Sequence, residues 1–166
     1  MSFPIATTTA RIDACKPCSK RRSCAMKLLG ITVASDDPIT YAQLLDVLGL
    51  DDALWCCRAE PDLAPLWRRY AVWCARQVQH LMADPRSVAA LDVAERHAAG
   101  QASDDELSAA WSAAWSAAGS TQATSAARSA TAWSAARSAA RHSAWASARA
   151  AQAAAFRQLV ITGDLP

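Results

Sequence analysis

Residues 103–120 read SDDELSAAWSAAWSAAGS and open an alanine-rich tract that decides the fold of this chain. From Leu107 to Phe156 nearly half of the positions are alanine, and serine recurs every four or five residues. Alanine has the highest helix propensity because its side chain loses no conformational entropy in a helix. The tract contains no proline, and Gly119 is its only glycine, so we predict helix along almost all of it.

The start of this tract has the pattern of a capping box. The Ser103 hydroxyl can accept a hydrogen bond from the amide of Glu106, while the Glu106 carboxylate can accept one from the amide of Ser103. We therefore predict a helix that ends at about Ala118, a break at 119–121, and helix again over 122–160. As one helix, this last segment would be roughly 58 Å long at a rise of about 1.5 Å per residue.

The 122–160 segment has few large side chains, so we expect its burial to come from close contacts between small residues. Three arrangements are open: the helix projects, it folds back near His142, or it pairs with a second copy of the chain. We favour a homodimer, because a two-fold interface buries identical faces in one step. Trp133 and Trp145 would then lie at or near the interface.

Shorter helices are predicted upstream of the tract from apolar residues at helical spacing and from their boundary residues. They cover residues 23–29, 39–48, 52–58, 61–83 and 85–99. Asp84 is a suitable N-cap for the last of them, and Pro85 suits its first position. The sequence thus predicts an all-α protein, a multi-helix bundle with long Ala-rich C-terminal helices, in which helix 61–83 packs on helix 86–99.

Basic charge is concentrated at the N-terminus. The whole chain carries a formal net charge of +2, but residues 1–30 contain six basic residues and one acidic residue. We predict a basic, cysteine-containing arm over 1–30, of which residues 1–12 are expected to be mobile, and a helical domain over 31–166. Within that domain, a short-helix bundle over 31–103 precedes the Ala/Ser/Trp/Arg tract over 104–161.

The apolar segments are too short for a membrane protein. No run of about 18 apolar residues is present, and the first residues lack the pattern of a signal peptide. We therefore expect a cytoplasmic protein that does not enter membranes and whose six cysteines are reduced.

One cysteine cluster has a spacing typical of a metal site. Cys15 and Cys18 are separated by two residues, and Cys24 follows, so the three thiolates could bind Zn²⁺ with a fourth ligand from elsewhere. Unligated thiols and a redox pair are the alternatives. The remaining cysteines, at 56, 57 and 74, lie in helical patterns and are expected to pack as small apolar side chains. Zinc is the one cofactor that the sequence suggests, and otherwise we expect none.

Basic residues interleave this cysteine cluster. Lys16, Lys20, Arg21 and Arg22 could contact the phosphates of a nucleic acid, although a solvated tail would have the same composition. In the Ala-rich tract, tryptophan and arginine recur at helical spacing, and both residue types are enriched in binding hot spots. The candidate partner-binding residues are Trp133, Arg137, Arg141, Trp145 and Arg149.

Nothing in the sequence is typical of a catalytic site. His80, His97 and His142 lie far apart without a triad-like pattern, and no glycine-rich phosphate loop is present. The aspartate pairs at 36–37 and 51–52 are better explained as helix caps than as acid–base catalysts. We therefore expect that the protein is not an enzyme.

Four segments carry a family resemblance: LGLDDALW (48–55), VQHLMADPRS (78–87), AALDVAERH (89–97) and GQASDDEL (100–107). With the Ala/Trp/Arg tract, they resemble immunity proteins encoded in bacterial and phage genomes, over roughly residues 24–160. The resemblance implies a small all-helical binding protein with no catalytic residues to carry over. It leaves the Cys15/Cys18 pair and its basic neighbours unexplained.

Together these observations favour a non-catalytic helical protein that neutralises or inhibits a protein partner, as an immunity protein or a phage-encoded inhibitor would. The alternative is a nucleic-acid-binding protein that uses the basic N-terminal segment, ordered by zinc. The identity of the protein partner does not follow from the sequence.

Overall fold

The computed structural model of the protein describes residues 3–82, 84–120 and 143–166. In chain order the described elements are strand β1 (Ala6–Thr8), helices α1 (Thr9–Ala14) and α2 (Ser19–Leu28), strand β2 (Pro38–Thr40), and helices α3 (Tyr41–Leu48), α4 (Leu50–Cys56), α5 (Ala64–Arg76), α6 (Pro85–Ala98), α7 (Asp104–Ser120) and α8 (Ser143–Thr162). Short 3-10 turns lie at Cys57–Ala59, Pro61–Leu63 and Gln79–Leu81. The predicted all-α class is confirmed, with one small two-stranded sheet in the described part of the chain.

The chain divides into two compact units, and the division differs from the predicted one. Unit 1 comprises Met1–Ala64 and Ala153–Pro166, and unit 2 comprises Pro65–Gln152. Residues 1–30 are therefore part of a larger unit and not a separate arm. The reason is that β1 pairs with β2, while Ile5, just before β1, bonds both Tyr41 and Val160.

Ile5 shows how the N-terminal residues are held in unit 1. Its side chain is only 3% exposed. Its amide donates to the carbonyl of Val160 at 2.8 Å, and its carbonyl accepts from the amide of Tyr41 at 3.0 Å. Nearby, the ring of Phe3 covers Gly163, whose φ of +87° and lack of a Cβ permit this close packing. The expectation that residues 1–12 are mobile is therefore wrong for the described residues of this segment.

The core of unit 1 joins α3 and α4 to the last turns of α8. Tyr41, Leu44, Phe156, Leu159 and Val160 are the largest fully buried side chains. The Tyr41 and Phe156 rings meet edge to face at 6.4 Å between centroids, and the Tyr41 hydroxyl donates to the Cys56 carbonyl at 2.9 Å. The C-terminal end of the Ala-rich tract is thus anchored by large side chains, whereas the sequence suggested contacts between small residues alone.

Helix α3 begins later than predicted because a capping box forms at Thr40. The Thr40 hydroxyl accepts from the Gln43 amide at 3.2 Å, and the Gln43 side chain accepts from the Thr40 amide at 2.9 Å. Ile39 instead belongs to β2, which is antiparallel to β1 and pairs Ile39 with Thr7. The interpretation of Asp37 as a cap is wrong, since its carboxylate accepts from the Ser35 hydroxyl at 2.9 Å.

Helix α4 also begins without an aspartate cap. Its N-cap residue is Gly49, with a φ of +82° that favours glycine, and no side chain caps the helix. Asp51 and Asp52 lie inside its first turn, where carboxylates interact favourably with the helix dipole. The expectation that this pair caps α4 is therefore wrong, although both carboxylates do lie at its N-terminal end.

Unit 2 confirms the boundary predictions around α6 and α7. Glu106 donates its amide to the Ser103 hydroxyl at 3.2 Å, and its carboxylate accepts from the Ser103 amide at 2.8 Å. The Asp84 carboxylate accepts from the Arg86 amide at 2.8 Å, with Pro85 as the first residue of α6. Local hydrogen bonding therefore fixes both helix starts as the sequence indicated.

The predicted packing of helix 61–83 on helix 86–99 is not the main contact of α6. Helix α6 packs chiefly on α7, because the short 99–103 connection turns the chain back on itself. Helix α5 ends at Arg76, whose guanidinium reaches α6 and contacts Asp92 at 2.7 Å and Glu95 at 2.5 Å. Ion pairs thus join α5 to α6 where apolar packing was expected.

The central part of the Ala-rich tract, residues 121–142, lies outside the described residues. The predictions of an unbroken 122–160 helix and of a hairpin near His142 both fall there. The flanking parts are helical, since α7 runs to Ser120 and α8 covers Ser143–Thr162.

We expect Phe156→Ala to lower the free energy of unfolding of unit 1 by about 3–5 kcal/mol, because it empties a fully buried site against Tyr41. Urea titration followed by circular dichroism measures the loss. The matched control is Ala154→Ser, an exposed position on the same helix, which should change stability by no more than about 0.5 kcal/mol. Equal unfolding midpoints for the two variants would contradict the assigned core.

Candidate functional site

A cavity of about 280 Å³ lies within unit 1, between α1 and α2 on one side and α3 and α4 on the other. We call it the α2 groove. Its apolar lining comes from both sides and includes Ile12, Ala25, Met26, Leu29, Leu48 and Trp55. The remaining lining is largely ionic and contains Asp13, Arg21, Arg22, Asp51 and Asp52. An apolar floor with charged groups at its edge is typical of a binding pocket.

Helix α2 covers this groove without filling it. None of its ten residues is buried. Two ion pairs join the helix to its neighbours. Arg22 binds the Asp13 carboxylate of α1 through Nε at 2.7 Å and through Nη2 at 2.5 Å, and Arg21 Nη2 lies 3.2 Å from Asp52 Oδ1 of α4. The two-pronged contact with Asp13 also raises the pKa of Arg22.

The four basic residues predicted to bind nucleic acid fall into two pairs with different surroundings. Arg21 and Arg22 contact carboxylates of the protein itself. Lys16 and Lys20 are exposed and form no ion pair with any residue that the structure describes. Lys16 has a left-handed backbone, with φ of +55°, and directly precedes Pro17 of the groove lining. Two of the four predicted residues thus remain available to a partner.

The three cysteines of the predicted zinc site do not form a metal-binding group. Cys15 is half-buried, while Cys18 and Cys24 are exposed, and all three are free thiols. Within residues 3–82, 84–120 and 143–166, no group of three or more His, Cys, Asp or Glu side chains is placed to hold a metal ion. The geometry therefore gives the zinc hypothesis no support.

The other three cysteines are more sheltered. Cys56 is buried and is among the residues that line the α2 groove, while Cys57 and Cys74 are half-buried. Burial raises the pKa of Cys56 to about 12, and it also raises the pKa of Cys57 and of Cys74. These thiols pack as apolar groups, as the sequence indicated for this set, although only Cys56 is fully buried.

The predicted partner-binding residues of the Ala-rich tract are only partly described. Trp133, Arg137 and Arg141 lie outside the described residues, and of Trp145 only the backbone in α8 is described. Arg149 is half-buried and donates to the Gln152 side chain at 3.4 Å. Of this set, only Arg149 has a described side chain.

A tryptophan–arginine pair that was not predicted from the sequence lies at the groove. The Arg58 guanidinium lies over the Trp55 ring at 5.3 Å from the centroid. Trp55 and Arg58 are three positions apart on a predicted helix, and this spacing, which brings side chains together, could have revealed the pair. A second tryptophan, Trp111 of α7, is 65% exposed.

His97 forms a pair that was also not predicted from the sequence. Its side chain is only 7% exposed, and Nε2 lies 2.7 Å from Asp104 Oδ1, across the turn between α6 and α7. Its Nδ1 is buried and has no hydrogen-bond partner among the described residues. A wide depression of about 580 Å³ in unit 2 is lined here by His97, Asp104 and Arg68. The pair fixes the α6–α7 turn, and the exposed Asp104 carboxylate leaves it open to solvent.

In the part of the chain that the structure describes, every helix is too short or too polar to traverse a lipid bilayer.

Comparisons with protein-family models, with curated proteins and with solved structures give no significant match. The resemblance to immunity proteins therefore remains a prediction from the sequence.

We expect the exposed thiols of Cys18 and Cys24 to be alkylated by iodoacetamide at pH 8 well before Cys56. A thiol with a pKa of about 12 is thiolate in only about one molecule in ten thousand at that pH, and burial also excludes the reagent. Peptide mass spectrometry over a time course measures the order. The control is the protein in urea, where all six thiols should react, and native labelling of Cys56 at the rate of Cys18 would contradict the structure.

Proposed function

We propose that the protein is a non-catalytic binding protein that neutralises or inhibits a protein partner, and that the α2 groove is its contact site. The observation that carries this proposal is the cavity of about 280 Å³ with an apolar floor. Pockets for drug-sized ligands are usually about 300–1,000 Å³. A smaller groove suits one or two apolar side chains of a protein, of the kind that act as anchors in hot spots.

The chemistry of the groove favours binding over catalysis. The Cys56 thiol in its wall has a pKa raised to about 12, so it is a poor nucleophile near neutral pH. Both lining arginines already contact carboxylates of the protein itself. The proposal that the protein is not an enzyme rests on these features of the groove.

The more specific role comes from the sequence resemblance. Immunity proteins and phage-encoded inhibitors act by covering a partner's surface, and a groove flanked by helices fits that mode. We therefore propose inhibition of a partner in the cytoplasm. A variant that loses the partner should also lose the inhibition, since both depend on the same contact.

Nucleic-acid binding is the second candidate, favoured by the exposed Lys16 and Lys20. Because Arg21 and Arg22 are engaged within the protein, few cations are left to neutralise phosphates. Two phosphate contacts correspond to a slope of only about −1.4 to −1.8 in a plot of log affinity against log salt concentration. A much steeper slope would require contacts from residues beyond these two.

Self-association through the tryptophan-containing helices remains part of the proposal. Trp111 is 65% exposed on α7, and only Leu107, Ala110 and Ala114 of this helix are half-buried among its described side chains. The exposed side of α7 can therefore accept a second helix, as small residues allow close approach.

We expect light scattering at micromolar concentration to show a species of twice the chain mass of 17.6 kDa. A two-fold pairing of the Ala-rich helices is the physical basis of this expectation. Dilution to nanomolar concentration serves as the control, since a reversible dimer dissociates there. A single 17.6 kDa species at every concentration would contradict the dimer.

We expect Ala25→Trp to abolish partner binding, because Ala25 lines the groove and an indole there would fill it. The matched control is Ser23→Trp, an exposed position of α2 that does not line the groove. A quantitative pull-down from an extract of the source organism compares both variants with the original chain. A partner retained equally by all three proteins would place the contact elsewhere, and thermal melting confirms that each variant is folded.

A further inference from the structure

We propose that the α2 groove binds a small uncharged molecule with an aromatic ring. This inference goes beyond the proposed function, because such a ligand needs no protein partner. Where a partner also uses the groove, the two compete for it. The size agrees with both occupants, since a cavity of about 280 Å³ that suits one or two apolar side chains also suits a free molecule of that size.

The charged side chains of the groove lining are engaged within the protein. Arg22 binds Asp13 through two nitrogens, and Arg21 Nη2 lies 3.2 Å from Asp52 Oδ1. Asp51, the remaining charged residue of the lining, also interacts within the protein. A charged ligand would therefore give up its hydration in the groove for groups that already have partners, which costs free energy.

The balance of charge also disfavours an anion. The lining contains three aspartates and two arginines, which is a formal excess of one negative charge. This excess repels an anionic ligand. It attracts a cation, but each of the three carboxylates already interacts with another group of the protein. An uncharged ligand meets neither obstacle.

The uncharged polar groups of the lining are satisfied or remain neutral. The Thr9 hydroxyl donates to the Ser35 carbonyl at 3.2 Å and accepts from the Ser35 amide at 2.9 Å. Burial raises the pKa of Cys56 to about 12, so its thiol stays protonated at neutral pH. The groove therefore offers a ligand mainly apolar contacts, and affinity comes from the apolar surface that leaves water.

Two residues of the lining favour an aromatic ring over an aliphatic chain. Met26 supplies a thioether, and contacts between sulfur and an aromatic ring are favourable. Trp55 supplies an indole ring, and aromatic rings attract each other edge to face or in offset stacks. An aromatic ligand can make both contacts in addition to burying its apolar surface.

The groove can be reached from solvent. Cys18 and Arg21 belong to its lining, and both are exposed, the Arg21 side chain to 64%. A ligand can therefore enter beside these two residues. The core around Tyr41 and Phe156 does not have to open for this, because both rings lie outside the lining.

The test is a titration of the full chain with three probes of similar shape and different charge: indole, which is neutral, indoleacetate, an anion, and tryptamine, a cation. The methyl groups of the methionines are isotopically labelled and followed by NMR. Met26 lies in the groove lining, and Met82 of unit 2 serves as the internal control. The Met26→Leu variant assigns the Met26 signal.

We expect indole to shift the Met26 signal until it saturates, with a dissociation constant of about 1 mM, as for a ligand of so few atoms. The Met82 signal should not move. Indoleacetate and tryptamine should bind more weakly by about tenfold or more, because each loses the hydration of its charge.

A variant pair ties the signal to the groove. Ala25→Trp should abolish the shift, because its indole ring fills the site, whereas Ser23→Trp, exposed on α2 and outside the lining, should keep the affinity for indole within about twofold. Leu29→Trp, at a second lining position, repeats the test in case Ala25→Trp does not fold. Circular dichroism shows whether each variant is folded.

Two results overturn the inference. One is a Met26 signal that does not respond to indole, or that responds equally in the folded groove-filling variants. The other is a charged probe that binds as tightly as indole. Neither result decides the proposed protein contact, since the pull-down with Ala25→Trp and Ser23→Trp tests that contact without these probes.

Discussion

The fold of unit 1 depends on the packing of Tyr41 against Phe156. The edge-to-face contact at 6.4 Å brings residues from opposite ends of the sequence into one core, and Leu159 and Val160 complete it. Strand β1 is attached to this core through Ile5, which bonds both Val160 and Tyr41. Tyr41 and Leu44 anchor α3 in this core, so the part of the groove wall that α3 forms is held in place as well.

The opposite wall of the groove is held by different forces. Helix α2 has no buried residue, and Arg21 and Arg22 join it to α4 and α1 through ion pairs. One wall is therefore rigid, whereas the other is attached by ion pairs that exchange more readily with solvent or with a partner. This difference in attachment makes the groove suited to accepting a side chain.

The features that the sequence predicted correctly are those that neighbouring residues determine. The Ser103–Glu106 capping box, the Asp84 cap and the helical state of the flanks of the Ala-rich tract each follow from a few adjacent positions. Two errors were local, the caps assigned to Asp37 and to the Asp51–Asp52 pair, and the others concern contacts between different elements. Asp13 with Arg22, Arg76 with α6, and Phe156 with Tyr41 have no local pattern, since each depends on which surfaces meet.

Unit 1 is built from two separate segments of the chain, Met1–Ala64 and Ala153–Pro166, and this determines when it can fold during synthesis. Residues 65–152 form a unit of their own, and all of them are synthesised before Phe156, Leu159 and Val160. Until then Tyr41 and Leu44 lack the side chains that cover them in the folded protein. The first 64 residues therefore remain incompletely folded and expose apolar surface. Contacts with such long sequence separation also form slowly. Nascent chains of this protein should therefore depend on chaperones until the last turns of α8 emerge.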